Sequence, residues 1–283
     1  MLPRRHRVSA RDGLPLAALE WTGPAGRTPL LCLSGICRSA LDYTELAQRH
    51  RHERRVVALD YAGHGESGRA ADPRRYNPQA MLRDVLDMMA ALHLGRAVVV
   101  GTSFGGLAAM AISALRPAVL GAVALNDIGP EIGAEGQDVV LDFIARDPAL
   151  GSLEEAADYM RRNIPPQPAL DTEGWLRLAD RTYAKGEDGR FHPRWDVRLG
   201  RYAVGQEAGP VPDLWALFHG LDALPLMLLW GQESRLLSAD TVQRMRRARP
   251  DMRVLSLPGT GHAPVLWEHE TAAALDVFLR AIP

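Results

Sequence analysis

Val98-Val99-Val100-Gly101-Thr102-Ser103-Phe104-Gly105-Gly106 is the stretch whose reading decides the fold. Three β-branched residues in succession read as the end of a buried strand, and the Ala-rich apolar run at 107–112 reads as a helix. Between them stands Gly-x-Ser-x-Gly. A serine on so short a turn sits in a strained backbone region, and both flanking positions must be small for strand and helix to approach. That strain turns the Ser103 hydroxyl out of the sheet. The N–H of Phe104, in the first turn of the helix, then faces the place where an oxyanion would form.

Outward from this turn the chain alternates strand and helix. Residues 4–8 and 16–21 flank the turn signal Arg11-Asp12-Gly13 and predict an antiparallel hairpin at a sheet edge. Short continuous apolar runs at 29–33, 55–59, 97–100 and 122–125 predict strands buried on both faces. Helices are expected at 43–50, at 77–92 with Pro78 in the first turn, and after the elbow as far as Arg116-Pro117. This alternation predicts a parallel sheet. The rhythm breaks between Pro130 and Gly209, where only helical segments (137–146, 153–163, 171–183) and Pro- and Gly-rich links are expected. It then resumes with strands at 226–230 and 252–257 and helices at 238–247 and 267–281. The expected organisation is a core of 1–129 and 210–283 with a helical insertion at 130–209.

Composition narrows the function. The 283 residues carry a net charge of −1, are 47% hydrophobic and 24% charged, and suit a soluble globular protein. That balance argues against nucleic acid or an anionic membrane surface as partner. No apolar run approaches the roughly 20 residues of a membrane span. The basic start at Arg4-Arg5-His6-Arg7 leads into polar sequence and not into a signal-peptide core. A cytoplasmic protein is expected, with the oligomeric state, a homodimer included, left open. Cys32 and Cys37 lack partners at metal-ligand spacing, so neither metal nor cofactor is expected.

A serine hydroxyl needs a base. His262 follows the last expected strand in Gly259-Thr260-Gly261-His262, and loops at the carboxyl ends of parallel strands share one rim. Ser103 and His262 are therefore expected to meet there. A second oxyanion donor is expected from the N–H of Ile36, after Ser34-Gly35. His64, His93, His192, His219 and His269 have no comparable setting and receive no role.

Taken together, Leu33-Ser34-Gly35, Asp60-Tyr61-Ala62-Gly63-His64-Gly65-Glu66-Ser67, the Ser103 pentapeptide, Trp230-Gly231 and Gly259-Thr260-Gly261-His262 resemble the α/β-hydrolases over nearly the whole chain. The resemblance implies a mostly parallel central sheet flanked by helices, with the insertion as a cap over the active site. Two positions depart from the family. Ser34-Gly35 stands where His-Gly is usual. The Asp commonly found after Trp-Gly is replaced by Ser234 or Arg235, and an arginine cannot orient an imidazole N–H. Two carboxylates could take that role. Asp127 stands at the end of the strand after the elbow helix, and Glu233 stands in the usual loop.

Trp175, Tyr183, Phe191, Trp195, Tyr202, Trp215 and Phe218 cluster in or beside the insertion and are expected either to shape an apolar pocket or to form the core of the insertion itself. The expected activity is hydrolysis of a small carboxylic ester or lactone with an apolar part, through an acyl-enzyme on Ser103. A C–C bond hydrolase or an acyltransferase would use the same triad. A non-catalytic binding protein would follow if the acid were lost. A haloalkane dehalogenase would need a carboxylate at position 103.

Overall fold

The computed structural model describes residues 2–204 and 212–283. Strands β1 (Arg4–Ser9) and β2 (Pro15–Trp21) pair antiparallel. β3 (Leu30–Leu33), β4 (Val56–Asp60), β5 (Ala97–Thr102) and β6 (Leu120–Asn126) follow. β7 (Tyr183–Lys185) and β8 (Phe191–Pro193) form a separate antiparallel ribbon, and β9 (Leu226–Gly231) and β10 (Arg253–Leu257) return to the main sheet. The main sheet runs β1-β2-β4-β3-β5-β6-β9-β10 and is parallel from β4 to β10.

Strand residues alternate strictly between two apolar layers. Leu31, Val57, Val99, Val123 and Leu228 face one side, while Leu30, Val56, Val98, Ala122 and Met227 face the other. Helices α1 (Thr44–His50), α2 (Pro78–Ala91) and α3 (Phe104–Leu115) fall between the early strands. α4 (Ala134–Ile144), α5 (Leu153–Asn163), α6 (Thr172–Thr182) and α7 (Leu214–His219) lie between β6 and β9. α8 (Ala239–Ala248) and α9 (His269–Arg280) complete the chain. α1 and α9 cover one face of the sheet; α2, α3, α7 and α8 cover the other. Side-chain caps set several helix starts: Asn77, Ser152, Asp171 and Ser238 each accept a backbone N–H of the first turn.

The segment between β6 and β9 differs from a purely helical reading by the β7–β8 ribbon. Its strands are three residues each, too short to display a period-two pattern. α7 lies in a stretch with no expected element; it packs on α3, with Phe218 fully buried. The expected return to the core at Gly209-Pro210 lies outside the described residues.

One close approach governs how the sheet meets its helices. A Cβ at Gly105 would lie 2.0 Å from the Leu33 carbonyl oxygen, and one at Gly101 would lie 2.5 Å from the Gly105 carbonyl oxygen. The obstacles are backbone atoms of the central strands and the helix, which have no rotamer to change. Gly105→Ala should therefore cost roughly 3 kcal/mol or more in urea unfolding. Gly95→Ala, where a Cβ meets nothing within 4 Å, should stay within about 0.5 kcal/mol of the parent. Equal losses for the two variants would contradict this picture of the packing.

Candidate active site

The parallel block brings five loops to one edge. Ile36 follows β3, Ser103 follows β5, Asp127 follows β6, Glu233 follows β9 and His262 follows β10. The chain leaves β3 toward β4 but leaves β5 toward β6, so a crevice opens between the ends of β3 and β5.

Ser103 adopts φ +50° and ψ −116°, a conformation L side chains rarely take. Hydrogen bonds hold it there. Its N–H donates to the Asn126 carbonyl (3.0 Å), and its own carbonyl accepts from the N–H groups of Gly106 (2.9 Å) and Leu107 (3.1 Å). The Phe104 ring packs edge-on against Tyr61, 5.2 Å between centroids, which fixes the first turn of α3.

Asp127 is fully buried and also has positive φ, +55°. Its Oδ2 lies 2.8 Å from His262 Nδ1, and its Oδ1 accepts the Gly231 N–H at 2.8 Å. A carboxylate only accepts, so Nδ1 is the donor in this contact, and Nε2 is the ring nitrogen directed away from Asp127. Glu233, the other candidate, is exposed. Its backbone N–H donates to the Thr260 carbonyl (2.9 Å), and among the described residues its carboxylate makes no hydrogen bond to His262. Ser234 acts on the backbone instead. Its Oγ accepts from the N–H groups of Leu236 and Leu237, at 3.3 and 3.2 Å, and shapes the loop after β9.

Three residues without an assigned role in the sequence hold these loops. His64 is buried, and its Nε2 lies 2.6 Å from the Ile36 carbonyl oxygen. Burial pulls its pKa below the ordinary histidine value, and its Nδ1 lies 3.1 Å from the Ala62 carbonyl oxygen. Asn126 donates from Nδ2 to Thr102 Oγ1 (3.1 Å) and to the Pro264 carbonyl (2.9 Å), tying the β5 and β6 ends to the His262 loop. Gln167 lies in the rigid Pro165-Pro166-Gln167-Pro168 segment. Its Nε2 spans the Gly261 and Ala263 carbonyls, at 3.4 and 3.3 Å, on either side of His262. A lone amide among prolines was the one sequence signal that could have drawn attention to it. Cys37, next to Ile36, also lines the cavity, and burial pushes its thiol up to about 11.

Ser103 and His262 line one cavity of about 500 Å³, together with Ile36, Asn126 and Gln167. Its apolar wall comes from α4 and the His262 loop, through Val139, Val140, Phe143, Val265 and Trp267. Of the two roles open to the seven aromatic residues, none of them takes pocket lining. Trp175 and Tyr183 pack in the small core of the inserted helices, and Trp195 and Phe218 join the main core. Their large apolar area is used in packing segments together, which spacing alone does not distinguish from pocket lining.

A sequence model of the alpha/beta hydrolase family matches residues 30–276. The chain belongs to this family. An alpha/beta hydrolase structure from Novosphingobium aromaticivorans superimposes with a TM-score of 0.94, at 34% identity over 99% of both chains. A 3-hydroxybutyrate-oligomer hydrolase of Cupriavidus necator is 26% identical over 88% of this chain and 87% of its own. An esterase of Escherichia coli is 27% identical over 90% and 91%. The protein is thus an enzyme, a hydrolase of the alpha/beta family. No helix among its described residues is long and apolar enough to cross a membrane.

In this hydrolase the contact between Gln167 and the His262 loop can be tested directly. Gln167→Glu replaces the donor with an acceptor opposite two carbonyls and should lower stability by about 1–3 kcal/mol in urea unfolding. An unchanged midpoint would show that the amide does not hold the loop.

Proposed function

We propose that the enzyme hydrolyses small carboxylic esters or lactones through an acyl-enzyme on Ser103. The observation that carries this reading is the 2.8 Å contact between His262 Nδ1 and a fully buried Asp127 carboxylate, on the rim that also holds Ser103. In this mechanism Ser103 Oγ attacks the ester carbonyl carbon and its proton passes to His262 Nε2. The N–H groups of Phe104 and Ile36 stabilise the tetrahedral oxyanion. Collapse breaks the C–O bond, and the leaving alcohol takes the proton from Nε2. Water then attacks the acyl carbon by the same route and frees the acid. Asp127 keeps the imidazole in the required tautomer and stabilises the imidazolium.

A hydrolase fold kept only for binding draws its support from the usual acid position, which holds Ser234-Arg235. The Asp127 contact supports the catalytic reading instead. Relatives named as esterases favour the ester reading. The mostly apolar cavity suits a small substrate with an apolar part. The helices between β6 and β9 act in this reading as a cap, since α4 and α5 contribute part of the wall.

Ser103→Ala should lower kcat/KM for a 4-nitrophenyl ester by at least about 10³-fold. Asp127→Asn should cost roughly 10²- to 10⁴-fold, because the amide favours the wrong tautomer. Glu233→Gln should stay within about threefold for a neutral ester. Turnover that survives Ser103→Ala, or a loss at Glu233 matching that at Asp127, would overturn the assignment.

A further inference from the structure

Five charged side chains besides His262 line the cavity: Arg38, Asp42, Arg162, Glu233 and Arg235. The inner two cancel. Arg38 Nε and Nη2 grip the two Asp42 oxygens at 2.6 Å each, and its remaining Nη1 donates to Thr182. The outer three are different. Arg162 stands in the last turn of α5, and Arg235 and Glu233 stand on the loop after β9; all three are exposed.

Among the described residues neither Arg162 nor Arg235 has an ion pair, a hydrogen bond from its guanidinium or an aromatic ring beneath it. Their neighbours on the inserted helices do have carboxylate partners. Arg146 pairs with Asp142, Arg161 with Asp158, Arg177 with Glu173 and Arg181 with Glu45. Arg162 and Arg235 differ from these four in having no such partner, and both line the cavity. The residues on either side of Arg235 are held: the Leu236 carbonyl accepts the Gly133 N–H at 2.9 Å, and Ser234 Oγ accepts the N–H of Leu236.

An unpaired guanidinium beside an apolar wall attracts an anion more strongly than one in open water, because the wall lowers the local dielectric. Its fork of N–H donors matches a carboxylate. Two such groups against the single carboxylate of Glu233 leave the outer part of the cavity with a net positive charge.

We propose that the preferred substrates are esters bearing a free carboxylate away from the scissile bond, the half-ester and hydroxy-acid ester class, and that Arg162 and Arg235 hold that carboxylate. This rests on the ester reading above and names the substrate class for the same site.

The test compares 4-nitrophenyl hexanoate with mono-4-nitrophenyl adipate, which differ only by a terminal carboxylate in place of methyl. The readout is the ratio of kcat/KM for the charged ester to that for the neutral one, after subtracting the uncatalysed rate. In the parent this ratio should exceed that of the double variant Arg162→Gln/Arg235→Gln by about tenfold at low salt. Each single variant should lower it by a smaller factor, and Glu233→Gln should raise it. High salt should shrink the parent's preference. A ratio indifferent to both arginines, or to salt, overturns the proposal.

If the double variant does not fold, as judged by circular dichroism, the single variants carry the comparison. A parent that cleaves hexanoate through Ser103 but shows no arginine-dependent preference retains the ester reading and loses this one. If neither ester is cleaved, the ester reading fails, and thermal unfolding with adipate dianion decides the anion site. Adipate should raise the Tm of the parent and not that of the arginine variants; no rise in the parent refutes the site.

Discussion

The structure depends on a contact in which no side chain can intervene. The backbone of α3 at Gly105 lies against the end of β3, and the backbone of β5 at Gly101 lies against α3. This closeness leaves Ser103 no room for an ordinary turn, and its positive φ is the outcome. The same contact fixes β3 relative to α3, and the loop carrying Ile36 springs from β3. The hydroxyl and the two N–H groups proposed to receive the oxyanion are therefore set by one piece of packing. Preorganisation of that kind is how a site stabilises developing charge without rearranging at the moment of reaction.

The segment between β6 and β9 does more than supply part of the cavity wall. Pro166 accepts the Gly261 N–H at 2.7 Å, and Gln167 reaches the carbonyls that flank His262. On the other side, the Arg194 carbonyl accepts the Gly65 N–H and the Gly63 carbonyl accepts the Asp196 N–H, at 2.7 and 2.8 Å. His64, between those two glycines, holds the Ile36 carbonyl. The inserted segment thus hydrogen-bonds to the loops on both sides of the crevice. Changes in its helices have a short route to His262 and to Ile36 as well as to the cavity wall.

Much of this was legible in the sequence. The continuous apolar runs of β3 to β6 and the Gly-x-Ser-x-Gly turn carry strong local signals, since strand burial and the strand–turn–helix context are both written in adjacent residues. Choosing between Asp127 and Glu233 was not possible locally. Both follow strands on the same rim, and only the pairing of β6 with β9 and the backbone donor at Gly231 show which carboxylate lies against His262. His64 and Gln167 escaped notice for the same reason: their partners are 28 and about 95 residues away. Between the two roles open to the aromatic residues, packing and pocket lining, the sequence could not choose because both use the same side chains.

The proposed mechanism requires Ser103 in its strained turn, with the N–H groups of Ile36 and Phe104 around the oxyanion that its attack forms. The most direct measurement is the crystal structure of the enzyme after reaction with a fluorophosphonate ester, whose phosphoryl oxygen stands where the oxyanion would. The expected result is one adduct, on Ser103 Oγ, with that oxygen about 3 Å from the N–H nitrogens of both Ile36 and Phe104. An adduct on another residue, or a phosphoryl oxygen turned away from both donors, would contradict it.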